Sequence, residues 1–298
     1  MKLPFDIPEQ KKIRVIINSD AKNEADDQFA IVHALLTPKF IIKGLIAAHF
    51  GEEKSRTSML DSYREMQHLL SLMGWEGKVP VFKGAEHALP DERTPVPSEG
   101  ARLIIEEAMR DDDRPLFVAF LGPLTDLASA YLMEPKIAER LTAVWIGGGA
   151  YPDGGREYNV GNDIHAANVV FQSPLPLWQV PFDVYITARV GIAELIHRVR
   201  PCGKIGDYLV RQMLELNDAW ADVPHWPNGE MWALGDSPAV SLMIQPQPHD
   251  AEMRPAPRVD ADMKYVHVQT DRLIRVYKRV DVRYMLEDFF AKLALAFG

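Results

Sequence analysis

"NSDAKNEADDQFA" (residues 18–30) follows the apolar run "IRVII" (13–17) and opens a helix-like pattern. Three acids, Asp20, Asp26 and Asp27, therefore stand where a buried strand gives way to a helix. Carboxylates this close repel one another unless something positive lies between them: a metal ion, basic side chains or solvent. Helix capping accounts for one acid or two, since a carboxylate at a helix N-terminus gains only about 0.3–1 kcal/mol. It does not account for Asp20 beside a consecutive pair with Glu24 close by. An all-oxygen donor set favours Ca²⁺ or Mg²⁺ over zinc.

Outward from this stretch, short β-rich runs alternate with longer amphipathic ones. Strands are expected at 13–18, 41–48, 79–84, 115–120, 143–148 and 176–181. Several are apolar at successive positions, which suits strands covered on both faces. Helices are expected at 26–37, 55–73, 98–110, 124–133 and 163–172, with Ser98 and Asp163 as caps. This alternation predicts an α/β fold, an open and mostly parallel sheet flanked by helices. Beyond residue 190 the pattern turns helical (190–198, 204–221, 236–244), then gives a β stretch near 264–278 and a last helix, 281–296. The Pro-rich segments 89–97, 223–227 and 246–257 read as loops, no repeat is evident, and residues 1–298 are expected to form a single domain.

Bulk properties narrow the function. A net charge of −9 argues against nucleic acid or an anionic membrane as partner. Cys202 is the only cysteine, so neither an intrachain disulfide nor a Cys-based zinc site can form. The start "MKLPFDIPEQKK" lacks a secretory-type apolar stretch, and no apolar run approaches the ~20 residues of a membrane span. A cytoplasmic location is the expectation.

Ligands of an open parallel sheet bind beyond the carboxyl ends of its strands, so the residues after each strand carry the functional information. After the first come the acids; after 115–120 comes "LGPLTDLA" (121–128). After 143–148 comes the glycine-rich turn leading to "EYN" (157–159), and further on "GDSPAV" (235–240) opens a helix with Asp236.

Together, these stretches resemble the inosine-uridine-preferring nucleoside hydrolase family. Its first motif reads roughly Asp-Thr-Asp-Pro-Gly-x-Asp-Asp-Ala, of which this chain keeps Asp20, Asp26 and Asp27 with two extra residues between. "LGPLTDLA" is similar to the family's Gly-Pro-Leu-Thr-Asn, and "EYN" followed by "DIHAANVVF" to its Glu-Phe-Asn and Asp-Pro-Glu-Ala-Ala run. "GDSPAV" is similar to its His-Asp-Pro-Leu-Ala. The resemblance implies a nucleoside-hydrolase-like fold and hydrolysis of an N-ribosyl bond by metal-activated water. It implies one Ca²⁺ per chain, with Mg²⁺ as second choice, held by Asp20, Asp27, Asp236 and a backbone carbonyl near Thr125. Asp20 would also accept the water's proton, while Asp26, Glu157 and Asn159 would hold ribose hydroxyls. A small-molecule riboside is the implied partner, and a homo-oligomer, dimer or tetramer, the implied assembly.

The chain departs from the pattern in several places. Asn18 replaces the first Asp, and "AKNE" (21–24) replaces a tight Pro-Gly turn. "AHF" (48–50) replaces Ala-Gly-Asn, so His49 is a candidate for the missing Asn. Gly235 stands where purine-accepting members place a His that protonates the departing base. Tyr151, Tyr158, His225, Trp226 and Trp232 are the candidates for the leaving-group side. The ribose half of the site thus reads as retained and the base half as rebuilt. The alternative reading is a protein of the same fold that binds a riboside without turning it over. A Mg²⁺-dependent phosphohydrolase is disfavoured, because Asn18 occupies the position its nucleophilic Asp would need.

Overall fold

A computed structural model describes residues 3–224, 226 and 229–298. The first half alternates β1 (Ile13–Ser19), α1 (Asp27–Leu35), β2 (Phe40–Ala47), α2 (Ser58–Leu72), β3 (Val81–Lys83), α3 (Glu99–Ala108), β4 (Leu116–Phe120), α4 (Thr125–Met133) and β5 (Leu141–Ile146). Then come α5 (Tyr158–Asn162), α6 (Ile164–Gln172), β6 (Leu177–Val180), α7 (Phe182–Tyr185), β7 (Arg189–Gly191), α8 (Ile192–Arg198) and α9 (Gly203–Ala219). The chain ends with β8 (Met231–Ala233), α10 (Ser237–Ile244), β9 (Ala251–Pro255), β10 (Arg258–Val259), β11 (Tyr265–Val266), β12 (Leu273–Tyr277) and α11 (Val282–Phe297).

Eight strands form one sheet in the order β3-β2-β1-β4-β5-β6-β12-β9. Every pairing is parallel except that of β12 with β9. The chain winds from β1 to one edge at β3, then returns to β4 on the other side of β1. The switch point therefore falls between β1 and β4, where such sheets open a crevice. All seven residues of β1 are buried, and they feed two separate cores. Val15 and Ile17 join the core that contains Ile31, Met66, Leu209, Val240 and Phe289, while Ile16 joins the one with Ile104, Leu127 and Val170. Alternate side chains of one strand thus serve opposite faces, as the two-residue period of a strand requires. Among the described residues, no helix is long and apolar enough to cross a membrane.

Two expectations need correction. The Pro-rich segment 246–257 contains β9, an antiparallel edge strand ending at Pro255. Proline is tolerated there because an edge strand has ladder positions that need no N–H donor. The β stretch near 264–278 divides into β11 and β12, and β12 is inserted between β6 and β9. The small antiparallel ribbon of β7 and β8 delivers the chain to Asp236.

Candidate active site

The carboxyl ends of the strands open onto a cavity of about 1000 Å³, with Asp20, Asp26, Asp27, Glu157, Asn159 and Asp236 in its lining. Asp20 follows β1 and Gly122 follows β4, the two strands that flank the switch point. A Cβ on Gly122 would lie 2.8 Å from Asp20 Oδ1, so a glycine is what lets the turn after β4 pass this carboxylate. Asp20 is buried and accepts from Asn23 Nδ2 at 3.1 Å.

Asp26 and Asp236 immediately precede α1 and α10, yet neither side chain caps its own helix. Instead Asp26 Oδ2 accepts the backbone N–H of Asp236 at 3.3 Å, which ties the two helix starts together. One carboxylate oxygen from each of Asp26, Asp27 and Asp236 lies within 4.8 Å of the others, and all three residues are buried. Two such charges about 4 Å apart repel by about 4 kcal/mol at an effective dielectric near 20, several times what a helix N-terminus returns. Capping therefore does not explain the cluster. Of the lysines in the lining, Lys22 pairs with Glu65 at 3.2 Å, while Lys54 donates to Asn23 Oδ1 at 2.5 Å and its charge reaches Asp20 and Glu24.

Burial, reinforced by mutual repulsion, holds Asp27 and Asp236 well above the usual carboxylate range. Burial pushes Asp26 up to about 6, and burial with the charge of Asp26 pushes Asp20 up to about 8. A divalent cation is what this donor set fits. Oxygens held roughly 2.3–2.6 Å from Ca²⁺ stand up to roughly 5 Å apart, which matches the observed spacing.

Glu157 and Asn159 are held by the backbone around them. Glu157 accepts from the N–H groups of Gly148 (2.8 Å), Asn159 (3.1 Å) and Val160 (2.9 Å), and from the Tyr185 hydroxyl (2.9 Å). Asn159 Nδ2 spans the carbonyls of Leu121 (2.9 Å) and Ile146 (2.8 Å), at the ends of β4 and β5. Its amide oxygen is the remaining polar atom of the side chain.

Other expected residues are not brought into the cavity. The lining residue after β4 is Leu121 rather than Thr125. Thr125 is buried, its hydroxyl donating to Asp163 Oδ2 at 2.7 Å and lying 2.8 Å from His49 Nε2. His49 is buried behind the wall in that network, and burial lowers its pKa to about 4. Asn18 donates to Asp126 Oδ2 at 2.8 Å, away from the acids. On the leaving-group side, Tyr158 and Trp226 do line the cavity. Tyr151 packs instead against Tyr265 and His267. Trp232 lies fully buried behind Trp226, ring centres 5.0 Å apart, because β8 alternates and only Met231 and Ala233 face the cavity. His225 lies outside the described residues.

Several lining residues escaped the sequence reading: Tyr185, Phe182, Trp220, Lys54 and Arg189. Tyr185 had a signal, since it follows β6 as the acids follow β1. It also explains Gly235. A Cβ at that position would meet the Tyr185 ring at 3.0 Å and Asp26 Oδ2 at 3.3 Å, so the ring fills the space a side chain there would use.

Comparison with known proteins agrees with this geometry. The family model described as inosine-uridine preferring nucleoside hydrolase matches residues 15–286. The pyrimidine-specific ribonucleoside hydrolase RihA of Salmonella schwarzengrund is 25% identical over 259 residues, 78% of this chain and 80% of that protein. RihA of Citrobacter koseri is 26% identical over 215 residues, 64% of this chain and 67% of that protein. Among solved structures, a purine-preferring ribonucleoside hydrolase from Gardnerella vaginalis superposes with a TM-score of 0.77 at 21% identity, covering 95% of this chain and 99% of that one. A plant nucleoside hydrolase superposes with a TM-score of 0.76, also at 21% identity and with the same coverage. The chain therefore belongs to the inosine-uridine preferring nucleoside hydrolase family, and it is a hydrolase acting on N-glycosyl bonds.

Proposed function

We propose that this protein hydrolyses the N-ribosyl bond of a small riboside with the help of one divalent cation, Ca²⁺ by preference. The observation that carries the reading is the convergence of Asp26, Asp27 and Asp236, none of them in an ion pair with a basic side chain among the described residues, beside Asp20, whose charge bears on Asp27 and Asp236. Asp27 and Asp236 hold the cation as the resemblance implies, and Asp26, expected on the ribose, joins them because its oxygen lies in the same group, whereas Asp20, expected as a ligand, lies outside that group. When bound, the cation supplies positive charge that lowers the pKa of a coordinated water.

Asp20 then accepts the proton of the attacking water. Its pKa of about 8 belongs to the cation-free cluster, and a nearby positive charge restores a carboxylate able to act as base. Asn159, rigidly hung between two strand ends, presents its amide oxygen to a ribose hydroxyl. The surrounding carboxylates stabilise the positive charge that develops on the sugar as the bond breaks. The names of the relatives point to pyrimidine and purine ribosides alike, so they support the riboside and leave the base open.

A panel of ribosides with and without Ca²⁺, assayed for free ribose, tests this. Release that requires the cation supports it, and no release from any substrate by cation-loaded protein overturns it. A second reading, riboside binding without turnover, draws on the four protein donors that already satisfy Glu157. Calorimetric binding of ribosides without ribose release would favour that one.

A further inference from the structure

We infer that the leaving group this cavity takes is a cationic aromatic ring, as in an N-ribosylpyridinium, in preference to a neutral purine or pyrimidine. The inference deepens the riboside hydrolysis proposed above and rests on it. Three independent features of the cavity support it.

The first is the lack of an imidazole acid on the wall among the described residues, the Tyr158 hydroxyl and the Lys54 ammonium being a phenol and an alkylammonium, which are weaker acids than imidazolium. Among the described residues, no histidine lines the cavity. The position before Asp236 has no side chain, and the Tyr185 ring takes its space. The Tyr185 hydroxyl is committed to Glu157 at 2.9 Å, and His49 is committed to Thr125 outside the lining. A neutral nucleobase departs as an anion unless it is protonated, and a positioned acid is commonly worth about 10²–10⁴ in rate. A pyridinium needs no such help.

The second feature is the wall itself. Tyr158, Phe182, Tyr185, Trp220 and Trp226 border the cavity, and Tyr158 and Phe182 are exposed at its mouth at 66% and 40%. Two of these rings already receive a cation. Lys54 Nζ stands 5.5 Å from the centre of the Tyr158 ring and 5.3 Å from that of Trp220. Ring faces so arranged attract positive charge.

The third feature is charge. Carboxylates outnumber cationic side chains in the lining even with Lys54 counted, Lys22 is paired with Glu65, and Arg189 is exposed. A substrate carrying positive charge is favoured over one carrying an anion.

The step balances without a co-reactant. The bond between the anomeric carbon and the ring nitrogen breaks, and its electron pair stays on nitrogen, turning the pyridinium into a neutral pyridine. Water adds its oxygen to the anomeric carbon and gives up one proton, so the products are ribose, the pyridine and a proton.

The test uses the full chain with saturating Ca²⁺ and four probes: nicotinamide riboside, p-nitrophenyl β-D-ribofuranoside, inosine and uridine. The p-nitrophenyl compound is neutral but leaves without an acid. The expected result is a kcat/KM for nicotinamide riboside about 100-fold or more above inosine and uridine, and about tenfold above the p-nitrophenyl riboside. Tyr158→Leu, at an exposed position, should raise KM for nicotinamide riboside more than for the p-nitrophenyl riboside. Inosine or uridine cleaved as well as nicotinamide riboside would mean that a group of the wall protonates the departing base, and would overturn the inference. Equal or faster cleavage of the p-nitrophenyl riboside would overturn the preference for positive charge. In both cases N-riboside or riboside hydrolysis itself survives, whereas no ribose from any probe defeats the parent proposal.

Discussion

The Tyr185 hydroxyl donates to Glu157 Oε1 at 2.9 Å and is the only side-chain donor among the four that hold this carboxylate. A carboxylate offers about four acceptor sites, so a sugar hydroxyl reaches Glu157 only by displacing a donor already there. Three of those donors are backbone N–H groups fixed by α5 and the turn after β5; Tyr185 is the one able to yield.

Tyr185→Phe is therefore expected to lower KM for the riboside while leaving kcat nearly unchanged. The competing hydrogen bond is worth about 0.5–1.5 kcal/mol, which corresponds to a roughly two- to twelvefold fall in KM. Steady-state kinetics checks this, and a rise in KM would show that the tyrosine helps hold the sugar.

The acid cluster makes stability depend on pH and on the cation together. In cation-free protein the carboxyls of Asp20, Asp26, Asp27 and Asp236 titrate above their unfolded values. Between about pH 4 and pH 8 the folded state then binds more protons than the unfolded one, so this contribution to stability falls as pH rises. The melting temperature of chelator-treated protein should drop from pH 5 to pH 8. Ca²⁺ should restore it, with a larger shift at pH 8 than at pH 5. A thermal scan with no cation shift at either pH would remove the metal site.

Asp27→Asn should separate stability from function. The change removes one charge from the cluster at nearly constant volume and should stabilise the cation-free protein by roughly 1–4 kcal/mol, the span between well-screened and poorly screened repulsion. It should also abolish the Ca²⁺-induced shift and turnover. Chemical denaturation with and without chelator reads both effects, and loss of stability in the cation-free variant would contradict the account.

Asp20 and Gly122 form a test pair. Asp20→Asn should lower kcat by about 10²–10⁴ and reduce, without abolishing, the Ca²⁺-induced thermal shift, since the charge of this residue bears on Asp27 and Asp236. Gly122→Ala places a carbon 2.8 Å from the Asp20 carboxylate. Displacing a catalytic group by about 1 Å costs up to about 100-fold, so kcat should fall in the same direction but by less. Full activity in Asp20→Asn would reassign the base.

What the sequence determined by itself was whatever repeats locally. Successive apolar positions in runs such as 13–18, alternating with helical patterns, announced the parallel sheet, and the rule that ligands gather at its carboxyl edge, together with the family resemblance, pointed to Asp20, Asp26, Asp27, Glu157, Asn159 and Asp236. It also exposed Gly235 as a missing side chain. Only the tertiary structure decided what fills that gap, because the ring of Tyr185 reaches Gly235 across fifty positions of chain. Likewise, strand-end position alone did not reveal that Thr125 and His49 bond to each other behind the wall, or that Trp232 points into the core while Trp226 faces the cavity. Periodicity reports which residues share a face of their own element; which neighbour that face meets is set by packing between elements distant in sequence.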